Sequence, residues 1–254
     1  MLDLQAVSKS YGRHAVLRDV SGTVNAGEVV ALAGPNGAGK STLIHIVTGL
    51  TRPSAGVVLV GGVPVSAGGH TGIGFCPDDL PMPELLTGHE YLDFAEALHG
   101  SRVGRRHRER LLECLHLEDA AARLVSTFSH GMKRKLQLLA ALLRAPSLLV
   151  LDEPLRGLDP ESAALLRALI GEFARQGGAV LLSTHDLASA ESIASRMLIL
   201  QQGRLRMDER VDAMTQHGRS VEDVFLEMTG IQESVARSSR LFIDTLARAE
   251  RSRR

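Results

Sequence analysis

The sequence predicts an α/β fold with a mostly parallel sheet, an N-terminal antiparallel β subdomain and an inserted α-helical subdomain. Three observations carry that prediction. Short, nearly all-apolar runs end in glycine or in polar residues, as buried parallel strands do: "EVVALAG" (28–34), "SLLVLD" (147–152) and "AVLLSTH" (179–185). Helix-like stretches alternate with these runs. From Leu86 to about Arg144 apolar residues recur at intervals of three and four, as in "YLDFAEALHG" and "RLLECLHLEDAAARL", so this block reads as helical throughout.

In chain order, "LDLQAVS" and "AVLRDVSGTV" alternate like edge or sandwich strands. After "EVVALAG" a helix is expected from Lys40 to about Gly49, and strand-like pieces return at "GVVLVGGVPV" and "TGIGFC". The helical block follows, at about 86–145. A helix over Pro160–Arg175 then separates the last two buried strands. Residues 1–230 read as one domain. Beyond Gly230, residues 231–254 form a tail with six Arg against three acids, and Val235, Phe242 and Leu246 are possible apolar anchors. It is either solvated or laid on an anionic membrane face or a partner.

The 254 residues carry 29 Lys plus Arg against 29 Asp plus Glu, a formal net charge of zero, so no nucleic-acid partner is expected. Cys76 and Cys114 are the only cysteines and lie in no C-x-x-C pair, which suits ordinary reduced thiols. No signal segment and no transmembrane span is evident. The expectation is a cytoplasmic protein that reaches a membrane only through a partner.

"GPNGAGKST" (34–42: Gly34, Pro35, Asn36, Gly37, Ala38, Gly39, Lys40, Ser41, Thr42) has the form G-x-x-x-x-G-K-[ST] between an expected strand and an expected helix. Its glycines let successive N–H groups curl around phosphate oxygens. Lys40 supplies a point charge for the β- and γ-phosphates, and Ser41 offers a hydroxyl to Mg²⁺. The bland alternative is a glycine-rich turn with a surface lysine, and the strand-loop-helix context argues against it. ATP and Mg²⁺ are the cofactors expected.

"LLVLDEP" (148–154) is an apolar strand ending in two carboxylates. Alone it is as readily a solvated strand end. Beside the phosphate loop, Asp152 suits Mg²⁺ and Glu153 suits the base that orients or deprotonates water. His185, closing "LLSTH", is expected to sense the γ-phosphate, because active groups gather at the carboxyl ends of α/β strands. "FSHGMKRK" (128–135) reads as a second anion-binding turn at Ser129, His130 and Gly131, with Ser129 as the helix cap, although without the other motifs an ordinary cap is the better reading.

The order of these motifs resembles the ATP-binding-cassette ATPase family over about residues 2–230. The resemblance implies a P-loop NTPase core. Tyr11 matches the family's adenine-stacking aromatic residue, "GLDP" (157–160) its loop that crosses to a partner subunit, and His185 its switch histidine. It also implies a head-to-tail dimer with itself or a homologous ATPase, in which the Ser129 turn of one chain faces the other's phosphate loop. Four positions depart from the family pattern. Asp78 stands for a glutamine that contacts Mg²⁺ and water, His130 for the second signature glycine, Met132 for a glutamine and Arg156 for a serine. The acidic Asp78 and the variant signature resemble an exporter-type subgroup.

The implied function is therefore ATP hydrolysis driving a separate transmembrane permease, from the inner face of the membrane. "DDLPMPELLTG", with exposed-looking Leu80, Met82, Leu85 and Leu86, suits a groove for the permease. Two alternatives compete. A soluble mechanical ATPase of the same family, acting on a nucleic-acid or ribosomal partner, would need a long coiled-coil insertion or a second cassette, and a small-molecule P-loop kinase would lack the signature turn.

Overall fold

The computed structural model describes residues 1–66, 72–78, 81–99 and 104–230, together with Arg237 and Phe242. Leu80 and nearly all of the 231–254 tail, including Val235 and Leu246, lie outside the described residues.

The described chain runs β1 (Leu2–Tyr11), β2 (His14–Val24), β3 (Val29–Ala33), α1 (Lys40–Val47), β4 (Ala55–Val60), β5 (Val63–Pro64), β6 (Ile73–Cys76), α2 (Gly88–His99), α3 (Arg105–Cys114), α4 (His130–Leu142), β7 (Leu148–Asp152) and α5 (Pro160–Arg175). It continues through β8 (Ala179–Ser183), α6 (Leu187–Ile193), β9 (Arg196–Gln201), β10 (Arg204–Arg210), α7 (Val211–Met214) and α8 (Val221–Thr229). Two sheets form: an antiparallel one of order β2-β1-β4-β5, and one of order β10-β9-β3-β8-β7-β6. The second is parallel except at β10.

The apolar runs behave as strands buried on both faces. Val30 and Leu32 of β3, Leu148 and Val150 of β7, Leu181 of β8 and Leu198 of β9 point to one side, into a core shared with α1 and the antiparallel sheet. Their neighbours Ala31, Leu149, Val180, Leu182 and Ile199 point to the other side, into a core shared with α5, α6 and α8. This is the two-residue strand period filled with apolar side chains on both faces. Each fully buried Leu or Val is worth about 1.5–3 kcal/mol, so the central strands are the most strongly held part of the chain.

The helical block buries a cluster of its own, with Leu92 of α2, Leu112 of α3 and Leu136 and Leu139 of α4 at its centre. It is not helical throughout, as the three-and-four spacing suggested. Between α3 and α4 the chain turns irregularly from Leu115 to Phe128, with one short 3-10 turn at Val125–Thr127. Leu115, Leu117, Ala121 and Val125 are buried all the same. Their helix-like spacing reports burial on one side, not a continuous helix.

Candidate functional site

The phosphate loop joins β3 to α1, with its glycines fixed by close approach. A Cβ on Gly34 would lie 2.2 Å from the Leu200 carbonyl oxygen. Gly39 sits at φ +108° and a Cβ there would come within 2.7 Å of Leu17. No side chain caps α1 at Gly39, whereas Ser129, Asp159, Asp186 and Ser220 cap α4, α5, α6 and α8. The first N–H groups of α1 are left for an anion. Lys40 Nζ rests on the carbonyls of Gly34 (2.6 Å) and Pro35 (3.3 Å). Burial pushes its ammonium pKa down, opposed by the Glu153 and Asp152 carboxylates.

Strands β7 and β8 bring the acids to this loop. Asp152 pairs with Ser183 in the parallel register, and the Ser183 hydroxyl donates to its Oδ1. Glu153 follows at φ +48°, a left-handed conformation that costs a non-glycine residue on the order of 1 kcal/mol or more. That turn aims its carboxylate sideways, where Oε1 lies 2.8 Å from His185 Nδ1. One open cavity of about 740 Å³ is lined by Asn36, Gly37, Ala38, Gly39, Lys40, Ser41 and Thr42 together with Asp78, Asp152, Glu153 and His185. Its uncapped helix end and ammonium suit a polyphosphate. The Ser41 hydroxyl and the Asp152 carboxylate, both in the cavity lining, suit a hard divalent cation.

The family model described as ABC transporter matches residues 17–156. The chain belongs to the ABC transporter family. It is 40% identical over 212 residues to the Nod factor export ATP-binding protein I of Rhizobium meliloti, covering 80% of this chain and 62% of that protein. The chain thus spans less than two thirds of that relative's length. A solved ATP-binding subunit of an ABC transporter superimposes with a TM-score of 0.82 at 33% identity, over 90% of this chain and 99% of that one. A bacterial ABC transporter cassette solved as a dimer gives a TM-score of 0.73 at 26% identity, over 83% and 99%.

Within this cassette not every residue singled out from the sequence reaches the cavity. Tyr11 ends β1 opposite His14, is 52% exposed, and has Lys9 Nζ 5.0 Å from its ring centroid. It stands outside the cavity lining, whereas His14 and Val16 line it. Ser129 and Gly131 are not among the lining residues either. Ser129 caps α4 by accepting from the Met132 N–H at 3.2 Å. His130 lines a separate cavity of about 380 Å³ with Asp78, Met82, Glu84 and Lys133. Asp78 reaches both cavities, with its Oδ2 2.5 Å from Arg156 Nη1.

Arg134 was not anticipated. Its side chain is buried, and its guanidinium donates to the carbonyls of Pro77, Asp78 (3.3 Å), Asp152 and Glu153 (2.7 Å). It therefore ties α4 to both strand ends that carry acids. In the sequence Arg134 is one cation in the run "KRK", with nothing to separate it from half-buried Lys133 and Lys135. Cys76, just before Pro77, is fully buried, and burial pushes its thiol up to about 11.

Proposed function

We propose that the chain binds ATP in the 740 Å³ cavity and hydrolyses it. Two cassettes pair head to tail, so that the Ser129 turn of each closes the other's site. The carrying observation is the joint lining of one cavity by the Lys40 loop, Asp152 and the Glu153–His185 pair, with the Ser129 turn outside it. Among the described residues that helix N-terminus stands outside the 740 Å³ cavity, which suits a site shared between two chains.

In this reading the loop N–H groups and Lys40 bind the β- and γ-phosphates. Ser41 and Asp152 would hold Mg²⁺, which would supply charge neutralisation at the transferred phosphoryl group. Glu153 orients the attacking water and accepts its proton, and His185 fixes the Glu153 carboxylate in place. Tyr11 stacks on the base from the rim. Dimer closure then brings Ser129 and Gly131 of the second chain to the γ-phosphate.

The cycle drives a separate membrane permease in the direction of export, from the inner face of the membrane. Similarity to a Nod factor export ATP-binding protein and the acid at Asp78 support the exporter reading. Among the described residues no helix is long and apolar enough to cross a membrane, which agrees with a membrane role through a partner. The surface for that partner centres on Leu85, which is 87% exposed. Met82 and Leu86 are half-buried, Met82 against the helical core, and contribute less than their sequence context suggests.

The test is Glu153→Gln. It keeps ATP binding, read by equilibrium titration, and lowers turnover by about 10²–10⁴, the usual worth of a positioned base. Turnover near the parent rate would remove Glu153 from the mechanism.

A further inference from the structure

Three of the four positions that depart from the family pattern meet in one chain of contacts. Arg156 Nη1 lies 2.5 Å from Asp78 Oδ2, and the Arg156 carbonyl accepts from His130 Nε2 at 3.2 Å. The Arg156 N–H in turn donates to the Glu153 carbonyl at 3.2 Å. Its side chain therefore springs from a main chain fixed on both sides.

The charges explain why these departures belong together. A carboxylate at Asp78 adds a negative charge that an amide would not, in a cavity already lined by Asp152 and Glu153. An uncompensated third acid either repels the other two or takes a share of a divalent cation. The cations facing Asp78 are Arg156, in direct contact, and Arg134, whose Nη2 is 3.9 Å from Oδ1 and is already committed to main-chain carbonyls. Lys133 and His130 share the smaller cavity with Asp78 but are engaged with Glu84 and the Arg156 carbonyl. Lys40 and His185 line the same cavity but are engaged with Gly34 and Glu153. The Asp78–Arg156 pair is partly solvated, with Arg156 55% and Asp78 23% exposed, so it adds little to fold stability. Its consequence is local charge.

We propose that Arg156 is a positioning residue of the nucleotide site, neutralising Asp78 and holding that carboxylate off the metal position beside Ser41 and Asp152. The pair restores the neutrality that a glutamine provides by itself. Metal coordination then falls to Ser41 and Asp152, and Asp78 serves as the anchor of its segment against the loop that follows Glu153. This inference rests on the ATP-site reading above.

The experiment titrates Mn²⁺ alone into the full chain, with free Mn²⁺ read by electron paramagnetic resonance, and separately measures binding of a fluorescent ATP analogue. Arg156→Ser should tighten Mn²⁺ binding by roughly two- to fivefold, the scale of one partly exposed charge pair. Arg156→Lys, which keeps the cation, should match the parent. Asp78→Asn combined with Arg156→Ser should return Mn²⁺ affinity to the parent value, because the tightening requires the freed carboxylate. The proposal is overturned if Arg156→Ser leaves Mn²⁺ affinity unchanged, or if the tightening persists in the double variant. Failure of the parent chain to bind the ATP analogue would instead overturn the ATP-site reading, so the two failures are distinct.

Discussion

Buried with 3% of its surface exposed, the Arg134 side chain must find acceptors inside the protein. It finds them on the carbonyls of Pro77, Asp78, Asp152 and Glu153, the main chain that carries three of the site's acids. Removing such a donor leaves each buried carbonyl short by about 1–3 kcal/mol and lets the strand ends drift. Arg134→Met is expected to lower kcat by about 10–100-fold while ATP affinity stays within a few-fold, because displacements near 1 Å at reacting groups cost on that order. Steady-state kinetics beside equilibrium ATP binding checks the split, and loss of both together would make Arg134 merely structural. At this scale the sequence was readable where a residue's neighbours in the chain define its role. Lys40 and Ser41 follow glycines, and Asp152 and Glu153 end an apolar run. Arg134 acts through partners distant in sequence, and His14 and Val16 reach the cavity only through the fold, so no local pattern marks them.

Helix α2 and helix α3 are held by an ion pair as well as by their apolar faces. Arg108 Nη2 lies 3.0 Å from Glu96 Oε1, with side-chain exposures of 14% and 5%, and Arg108 Nη1 also meets the exposed Asp93 at 2.5 Å. Taking away one partner of a buried pair leaves an uncompensated charge, whereas replacing both with apolar residues is often neutral. Arg108→Met should therefore destabilise the chain by about 3 kcal/mol, and adding Glu96→Leu should recover most of that loss. Urea unfolding of the parent, the single and the double variant measures both. If the double variant is no better than the single, the pair is not the bolt between these helices. At the scale of elements the buried strands were the most legible part, since β3, β7 and β8 are short apolar runs between turn residues. Two features escaped. The 115–128 connection has helix-like spacing because it packs one side against the block, and α6 to α8 with β9 and β10 follow the last motif without a chemical marker of their own.

For the whole molecule, the proposed function makes the cavity one half of a shared site. The phosphate loop, Asp152, Glu153 and His185 line one cavity, while the capped turn at Ser129 stands apart at the start of α4. The order of motifs along the chain made this arrangement expected through its family resemblance. Composition and periodicity alone could not, because a second anion-binding helix end is indistinguishable from an ordinary cap until the first site is seen to lack it. In the proposed function the other half comes from a second cassette. It is tested by mixing two damaged chains, Lys40→Ala and Ser129→Arg, each of which has both sites ruined as a homodimer. In a mixed dimer a shared arrangement puts both lesions on one site and leaves the other with intact Lys40 and intact Ser129. Mixing should restore ATP trapping and part of the hydrolysis that neither chain shows alone. With mixed dimers demonstrated by cross-linking, a flat result in both trapping and hydrolysis would contradict it.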